Sequence, residues 1–355
     1  MSYKLGVIGY GNMGSWHCEN VSERIANLDI GAVYDIDESR RALARENGFF
    51  VCDTEEEFFA SDVDVIVVAT PNCFHKELCI KAMLNGKNVI SEKPACLNRE
   101  ELEEVIAVSE KTGKLYTVHQ NRRFDNDYAI IKNIINSDVV GKQFYLNSRL
   151  YGNRGFANAG WKSLYEAGGG LLYDWGIHLI DQVLCLYEDD NPAWVQAELH
   201  SVRMENVDDV CRVTIGFESG MKVQVIADLW CYVQEARWHL EGSDGSATID
   251  KWLEDTGKIV RAKNQNINWE EGCVVTPNGL STTMWPRATH DLEELSLPIP
   301  EKLPRWEEFY ENVIDVIEGK ATQIVTHKQM RNSMTIIDAA FESAKNNKVV
   351  LLNEA

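Results

Sequence analysis

An aspartate at 174, a histidine at 178 and an aspartate at 181 lie four and three residues apart within Gly168-Gly-Gly-Leu-Leu-Tyr-Asp-Trp-Gly-Ile-His-Leu-Ile-Asp181. If residues 171–181 form a helix, these side chains project from one face. That places a carboxylate beside an imidazole, which titrates near neutral pH and passes protons. The glycines at 168–170 let a backbone or a ligand approach the electropositive start of such a helix. Glu92-Lys93-Pro94 adds a cation suited to stabilising a forming alkoxide, at a turn that a cis proline would serve. Near the start of the chain stands Gly9-Tyr10-Gly11-Asn12-Met13-Gly14. A dinucleotide turn combined with an Asp/His pair and a lysine points to hydride transfer coupled to proton transfer, the chemistry of an alcohol dehydrogenase.

The glycine motif gains weight from its context, with a strand before it, a helical stretch after it, and Asp35 at the end of the second strand. Gly9 makes the tight turn, Gly11 lets backbone approach a pyrophosphate, and Gly14 permits close helix–strand packing. Asp35 can accept hydrogen bonds from both hydroxyls of an adenosine ribose, and its charge repels a 2′-phosphate. The expected cofactor is therefore NAD rather than NADP, with Arg40 and Arg41 read as a solvated helix face. Ala69-Thr70-Pro71-Asn72 leaves a strand at its carboxyl end, where ligands bind in such sheets, and is expected to touch the cofactor.

The elements that must hold these residues follow from periodicity. Leu5–Ile8, Ile30–Tyr34, Val63–Ala69, Asn88–Ile90 and Leu115–Val118 read as buried parallel strands. Helical patterns at 38–47, 73–85 and 98–112 separate them and end in Gly48, Gly86 and Gly113. This βα alternation is that of a doubly wound Rossmann sheet. After residue 123 a helix at 125–137 and the Asp/His helix lead into longer alternating strands at 143–151, 194–203, 208–217, 221–230 and 236–241. The fold class is thus α/β, with an N-terminal parallel sheet and a C-terminal α/β part built on a large, mostly antiparallel open sheet. The expected boundary divides a dinucleotide-binding domain, 1–122, from a substrate-binding and oligomerisation domain, 123–355. Residues 255–300, with Pro277, Gly279, Pro286, Pro298 and Pro300, read as a long loop or arm, and two helices near 304–318 and 328–346 close the chain. An exposed mixed sheet is expected to leave a broad apolar face, which predicts a homo-oligomer, a dimer or higher, packed through residues 143–241.

Composition excludes several classes. Lysine and arginine number 35 against 55 aspartates and glutamates, a net charge of −20, and no basic block exceeds two residues. Such a field repels nucleic acid and anionic membranes. The nine cysteines are odd in number and contain no Cys-x-x-Cys, so neither a disulfide framework nor a zinc ribbon is indicated, and no metal-ligand spacing is present. The first strand is expected almost at the initiator Met, leaving no room for a signal peptide, and the longest apolar run, Val65–Ala69, is too short to span a bilayer. A cytoplasmic location is expected.

Taken together, Gly-x-Gly-x-x-Gly (9–14), Ala-Thr-Pro-Asn-x-x-His (69–75), Glu-Lys-Pro (92–94) and Gly-Gly-Gly-x-Leu-x-Asp-x-Gly-x-His-x-x-Asp (168–181) resemble the glucose–fructose oxidoreductase/inositol dehydrogenase family. Their order and spacing match along essentially the whole chain. The resemblance implies that Lys93, Asp174 and His178 are the catalytic trio. His178 would take the hydroxyl proton, Lys93 would bond the same oxygen, and Asp174 would orient the sugar ring or the histidine. It also extends the cofactor-binding set to Tyr10, Asn12, Met13, Thr70, Pro71, Asn72, His75, Glu92 and Lys93, and needs no metal. Arg122, in His119-Gln-Asn-Arg-Arg-Phe124, matches a position lining the family's active site. Trp161-Lys162 resembles a Trp-Arg pair at the nicotinamide end, although lysine lacks the guanidinium fork.

The implied substrate is a sugar, an inositol or a derivative. Tyr151, Phe156, Trp161, Tyr165, Trp175, Trp230 and Tyr232 fall near the expected site, and aromatic faces suit sugar C–H surfaces and flat aglycones. Tyr151 joins Lys93, Arg122, Asp174 and His178 as the expected substrate contacts. Segments 118–125 and 172–182 resemble a bacterial branch that includes glycoside 3-oxidases, some acting on C3 of the glucose in plant C-glycosides. Free-sugar or inositol dehydrogenation is the second reading. A redox sensor that binds NAD without turnover is the third, and the intact Lys93 and His178 argue against it.

Overall fold

The computed structural model describes residues 2–152, 160–263, 272–275, 277, 281–284 and 292–352. Phe156, Gly279 and Pro286 lie outside the described residues. The parallel sheet is built from β1 (Tyr3–Ile8), β2 (Leu28–Tyr34), β3 (Val65–Val68), β4 (Asn88–Ser91) and β5 (Tyr116–Val118), in the order β2-β1-β3-β4-β5. Its strands are near-continuous apolar runs because helices cover both faces, and Val65–Val68 is buried at every position. The helices between them are α1 (Asn12–Arg24), α2 (Glu38–Glu46), α3 (Glu55–Ala60), α4 (His75–Leu84) and α5 (Arg99–Thr112). A capping box, Thr54 with Glu57, starts the short α3, which the apolar periodicity did not mark. Strand order reverses between β1 and β3, so a crevice opens outside their carboxyl ends.

A second sheet of nine strands runs β15-β12-β11-β10-β6-β9-β8-β7-β16. These are β6 (Gln143–Tyr151), β7 (Pro192–His200), β8 (Val210–Phe217), β9 (Lys222–Asp228), β10 (Trp238–Gly242), β11 (Gly245–Ile249), β12 (Gly257–Ala262), β15 (Leu292–Leu295) and β16 (Val350–Leu351). Every pairing is antiparallel except β6 with β9. The region expected as a loop at 255–300 is therefore corrected. It contributes β12 and β15 to one edge of this sheet, and β13 (Gly272–Val275) pairs with β14 (Ser281–Met284) as a separate hairpin. The strand Gly257-Lys-Ile-Val-Arg-Ala262 precedes the first proline of the region, Pro277, and was missed because it buries only Ile259 and so lacks a clean period-two pattern.

One face of the large sheet packs Leu146, Val195, Val213, Val225 and Leu240, all fully buried, under α6 (Asn126–Asn136), α7 (Ile177–Leu186) and α9 (His327–Asn346). The opposite face departs from the expectation of an apolar surface. Register aligns Gln196, Thr214, Gln224, Asn147 and His239 across five strands, with Glu198 beside Arg212 one step along. That face is a polar ladder, interrupted by Ile226, Tyr145 and Trp194.

Helix α9 touches both sheets' layers. Its Arg331 pairs with Glu103 of α5 at 2.9 Å, and Asp338 accepts the Arg99 backbone N–H at 2.9 Å. The remaining helix, α8 (Glu307–Ile317), brings Phe309 and Tyr310 against the carboxyl edge of the parallel sheet.

Candidate active site

The turn from β1 to α1 is shaped for a close approach. A Cβ on Gly14 would sit 1.8 Å from the Gly9 carbonyl oxygen, while one on Gly11 would meet nothing within 4 Å, leaving that side open. Gly11 stands at the N-cap of α1, which has no side-chain cap and no acidic residue in its first turn, so its N–H groups remain available to an anion. Asp35 accepts from the Tyr10 and Asp37 backbone N–H groups, at 2.6 and 2.9 Å. The Tyr10 side chain is not a cofactor contact. It is fully buried, packs on Phe49 and shares a hydrogen bond with Asn47. Arg41, expected to be solvated, instead donates to the Asp35 carbonyl at 2.6 Å and pairs with Glu38.

Three further residues expected at the cofactor act as braces. His75 is fully buried and directs its ring nitrogens to the carbonyls of Pro94 and Thr70, at 2.8 and 3.0 Å. Asn72 donates to the Gly168 carbonyl at 2.8 Å, tying the β3 loop to the glycine run. Glu92 lies behind the site, its Oε1 2.8 Å from His17 Nε2 and 2.9 Å from His119 Nδ1. Burial alone would push the Glu92 carboxyl up, but the hydrogen bonds from His119 and His17 outweigh it and hold it well below the usual range. His17, buried and neutral, also meets the Tyr310 hydroxyl. Sequence reasoning saw neither histidine, because they come from α1 and the end of β5 and converge only in space.

The helix expected at 171–181 starts differently. Residues Leu172–Gly176 form a π-turn, and α7 begins at Ile177. Such turns widen the helix and are frequent at functional sites. Asp174 does not bond His178 among the described residues. Its Oδ1 receives Lys93 Nζ at 2.9 Å and Lys162 Nζ at 2.8 Å, and Lys93 also donates to the Asp174 carbonyl at 2.6 Å. Burial would raise the Asp174 carboxyl, yet Lys93 and Lys162 hold it well below the ordinary range. The Lys93–Pro94 bond is cis.

His178 is 4% exposed and its Nδ1 is buried without a partner. Burial, then Lys93 and Arg122, push its pKa well below that of a free imidazole, overcoming Glu92 and Asp174. Its imidazole is therefore neutral, titrating below the neutral range that the sequence suggested. Asp181 is remote from this chemistry and forms a buried pair with Arg123, at 2.6 and 2.7 Å.

Arg122 lies over the rings of Trp175 and Trp252, at 5.4 and 4.6 Å, and donates to Asp125 at 3.3 Å. Trp175 is also 5.7 Å from the His178 ring. Trp252, from the turn after β11, escaped the sequence reading because nothing local distinguishes it; its indole N–H donates to Asp125 at 2.8 Å. Tyr151 is turned to Glu235 at 3.0 Å, and Trp230 stacks under Arg203 at 4.3 Å. Trp161 is half-buried in the short turn Gly160–Ser163, while Tyr165 and Tyr232 are exposed.

One pattern unites the site. Thr70 Oγ1, His119 Nε2, Gln120 Oε1, Asn121 Oδ1, Arg122 Nε and His178 Nδ1 are buried polar atoms without partners. Five of these atoms follow β3 and β5 and the sixth is on α7; native proteins leave few such groups, which makes this region a candidate surface for a polar ligand.

Comparison with known proteins agrees with this architecture. Residues 3–120 match the model for an oxidoreductase family with an NAD-binding Rossmann fold, and residues 128–248 match the GFO/IDH/MocA C-terminal domain. A solved NAD-binding protein from Listeria innocua is 34% identical, with a TM-score of 0.91 over 99% of both chains. The scyllo-inositol 2-dehydrogenase (NADP(+)) IolW of Bacillus subtilis is 27% identical over 98% of this chain and 96% of its own. The WlbA dehydrogenase of Chromobacterium violaceum, solved with NADH and UDP-GlcNAcA, shares the fold at 18% identity and a TM-score of 0.78, over 100% of this chain and 97% of its own.

Proposed function

This chain belongs to the glucose–fructose oxidoreductase/inositol dehydrogenase (Gfo/Idh/MocA) family of oxidoreductases, and we propose that it oxidises a secondary hydroxyl of a sugar or glycoside with NAD. The observation that carries this reading is the convergence of Lys93, Asp174 and neutral His178 beside the cluster of unpartnered buried polar atoms. The open Gly11 side of the β1–α1 turn, the uncapped start of α1 and the Asp35 carboxylate fit a dinucleotide, with Thr70, Pro71, Trp161 and Arg122 toward its nicotinamide end. Bound nicotinamide supplies the acceptor for the carbinol hydride. His178 takes the hydroxyl proton, and Lys93 donates a hydrogen bond to the same oxygen as negative charge develops there. Asp174 fixes Lys93 in place and leaves the imidazole free, which narrows its expected role.

Residues 1–122 form the dinucleotide domain in this proposal and residues 123–355 the substrate and assembly domain. The polar ladder of the large sheet is assigned to a homo-oligomer interface, now through hydrogen bonds rather than an apolar face. A monomer by light scattering at micromolar concentration removes that assignment. No helix of the described residues is long and apolar enough to cross a membrane, which agrees with the proposed cytoplasmic site of action.

The favoured substrate is the C3 hydroxyl of a glucosyl group, in aryl C- or O-glycosides. The wall formed by Trp175, Arg122 and Trp252 beside His178 supports it, because aromatic faces pack on sugar C–H surfaces and flat aglycones. Inositol or free-sugar oxidation is the second reading, favoured by the full-length likeness to the scyllo-inositol enzyme. The test is NADH absorbance with glucose, myo- and scyllo-inositol and aryl C- and O-glucosides, with mass analysis for loss of two hydrogens. Oxidation of inositol alone selects the second reading; NAD binding without reduction by any of them selects a redox sensor.

A further inference from the structure

Lys162 entered the sequence reading as an imperfect match to a cofactor contact, and the structure pairs it with Asp174. Its Nζ lies 2.8 Å from Asp174 Oδ1, and Lys93 Nζ lies 2.9 Å from the same oxygen. Two ammonium groups thus share one carboxylate oxygen of a side chain that is only 11% exposed. Lys93 also donates to the Asp174 carbonyl, so two of its N–H bonds are engaged and the remaining one is free for a substrate oxygen.

The backbone holds Lys162 in this place. A Cβ on Gly169 would stand 2.3 Å from the Lys162 carbonyl oxygen, and the Gly170 N–H donates to that oxygen at 3.1 Å. The middle glycine of the run therefore admits the Lys162 backbone rather than a ligand. Gly168 meets Leu97 and Asn72, and Gly170 meets the Asp208 carboxylate. The turn Gly160–Ser163 is clamped against the segment that carries Asp174, so its lysine reaches the carboxylate by construction.

The charge balance gives the arrangement a purpose. Lys93 with Asp174 alone is a neutral pair, which offers little net field to a forming alkoxide. With Lys162 the trio carries one net positive charge, brought by a side chain that is 38% exposed and set against the largely buried Lys93 and Asp174.

We propose that Lys162 is a positioning residue for the proton chemistry: it shares the Asp174 charge, leaving the trio net positive and the free N–H of Lys93 for the substrate oxygen. This rests on the catalytic reading of Lys93, Asp174 and His178 given above.

Kinetics with the sugar or glycoside that the wild type oxidises, beside a fluorescence titration of NADH binding, test the shared charge. The expected loss in kcat is about 10- to 100-fold for Lys162→Gln, with KM for NAD and the NADH affinity within about twofold of the wild type. Lys162→Arg keeps the charge and restores most of the lost turnover. Unchanged kcat in Lys162→Gln overturns the proposal, and Lys162→Met serves if the glutamine variant fails to fold. Weakened NADH binding and a raised KM for NAD with unchanged kcat overturn the proposal in favour of a cofactor contact. Full turnover in Lys93→Gln overturns the underlying catalytic reading instead.

Discussion

The dinucleotide turn and the Asp174/His178 segment are both glycine-rich starts of helices, yet they are built on opposite principles. In the first, the backbone is the ligand: Gly9, Gly11 and Gly14 shape a path of N–H groups, and few side chains take part. In the second, the glycines pack the protein against itself, and side chains from four separate segments converge on the proposed catalytic centre. Lys93 comes after β4, Arg122 after β5, Lys162 from a short turn, and Asp174 and His178 from the π-turn and α7. A backbone site is written in local sequence, whereas a side-chain site is written in the tertiary fold.

The largest expected effect separates the two regions most sharply. With His178 as the proposed proton acceptor, His178→Ala should lower turnover about 10²–10⁴-fold while changing NAD affinity little. Lys93→Ala should be at least as damaging, because the forming alkoxide loses its positive partner. Burial, Lys93 and Arg122 depress the His178 pKa, so the acid limb of the pH–rate profile for oxidation should lie below that of a free imidazole. That base is unprotonated above its lowered pKa, and activity falls only as pH drops through it. Arg122→Gln should move the limb upward. A His178→Ala enzyme with near-normal turnover and the same limb would make Lys93 the leading base candidate.

Substitutions at the glycines test the contrast next. Gly14→Ala drives a Cβ into the Gly9 carbonyl and should cost about 3 kcal/mol, seen chiefly as lost NAD binding in a titration of NADH fluorescence. Gly169→Ala drives one into the Lys162 carbonyl and should reduce kcat while leaving that titration nearly unchanged. Equal loss of cofactor affinity in both variants would break the distinction between a backbone site and a packed one.

These residues also show how far the sequence could be read. The five parallel strands, the glycine turn and the motifs that carry Lys93, Asp174 and His178 were legible, because β-branched runs, helix stops and fixed spacings are local signals. The braces were not. His17, His119 and Tyr310 reach Glu92 from three distant elements, and no spacing rule connects them. The π-turn was hidden because 171–184 is buried nearly all round, so its apolar pattern has no phase in which one extra residue would show. The edge strand at 292–295 was lost between Pro286 and Pro298, that at 257–262 shows no clean alternation, and the outer face of the large sheet was misjudged as apolar. Alternation told which residues face the core, but the polar partner set Gln196, Thr214, Gln224, Asn147 and His239 emerges only once register is known.

Cofactor choice should respond more modestly. Asp35 is held by two backbone N–H groups at the end of β2, oriented where an adenosine ribose would lie. Asp35→Ala should weaken NAD by about 2 kcal/mol, the scale of charged hydrogen bonds, and weaken NADP much less. Equal losses for both cofactors would sink the assignment of NAD, and a wild type preferring NADP would align it with the scyllo-inositol enzyme.

The smallest effect concerns stability and belongs to the packed region alone. Asp208, in the connection between β7 and β8, accepts the Leu172 backbone N–H at 2.7 Å and so anchors the π-turn that carries Asp174. Burial pushes its pKa up to about 6, with the nearby Asp209 carboxylate adding to the rise and the Leu172 N–H opposing it. A folded pKa above the unfolded value of about 3.9 means that the native state binds the proton more tightly. Stability from this group is then greatest at low pH, declines as pH rises from about 4 to 6, and stays at its reduced level above. Asn at this position keeps an acceptor for Leu172 and cannot ionise. Asp208→Asn should therefore gain stability relative to wild type between pH 4 and 7, by on the order of 1 kcal/mol, because relaxation and water return part of the burial cost. Urea unfolding at pH 4, 5, 6 and 7 measures this difference. Parallel curves for the two proteins would mean that Asp208 is solvated on the time average, and the anchor of the π-turn would have to be sought in the Leu171 N–H bond to the Asp208 carbonyl, at 2.9 Å.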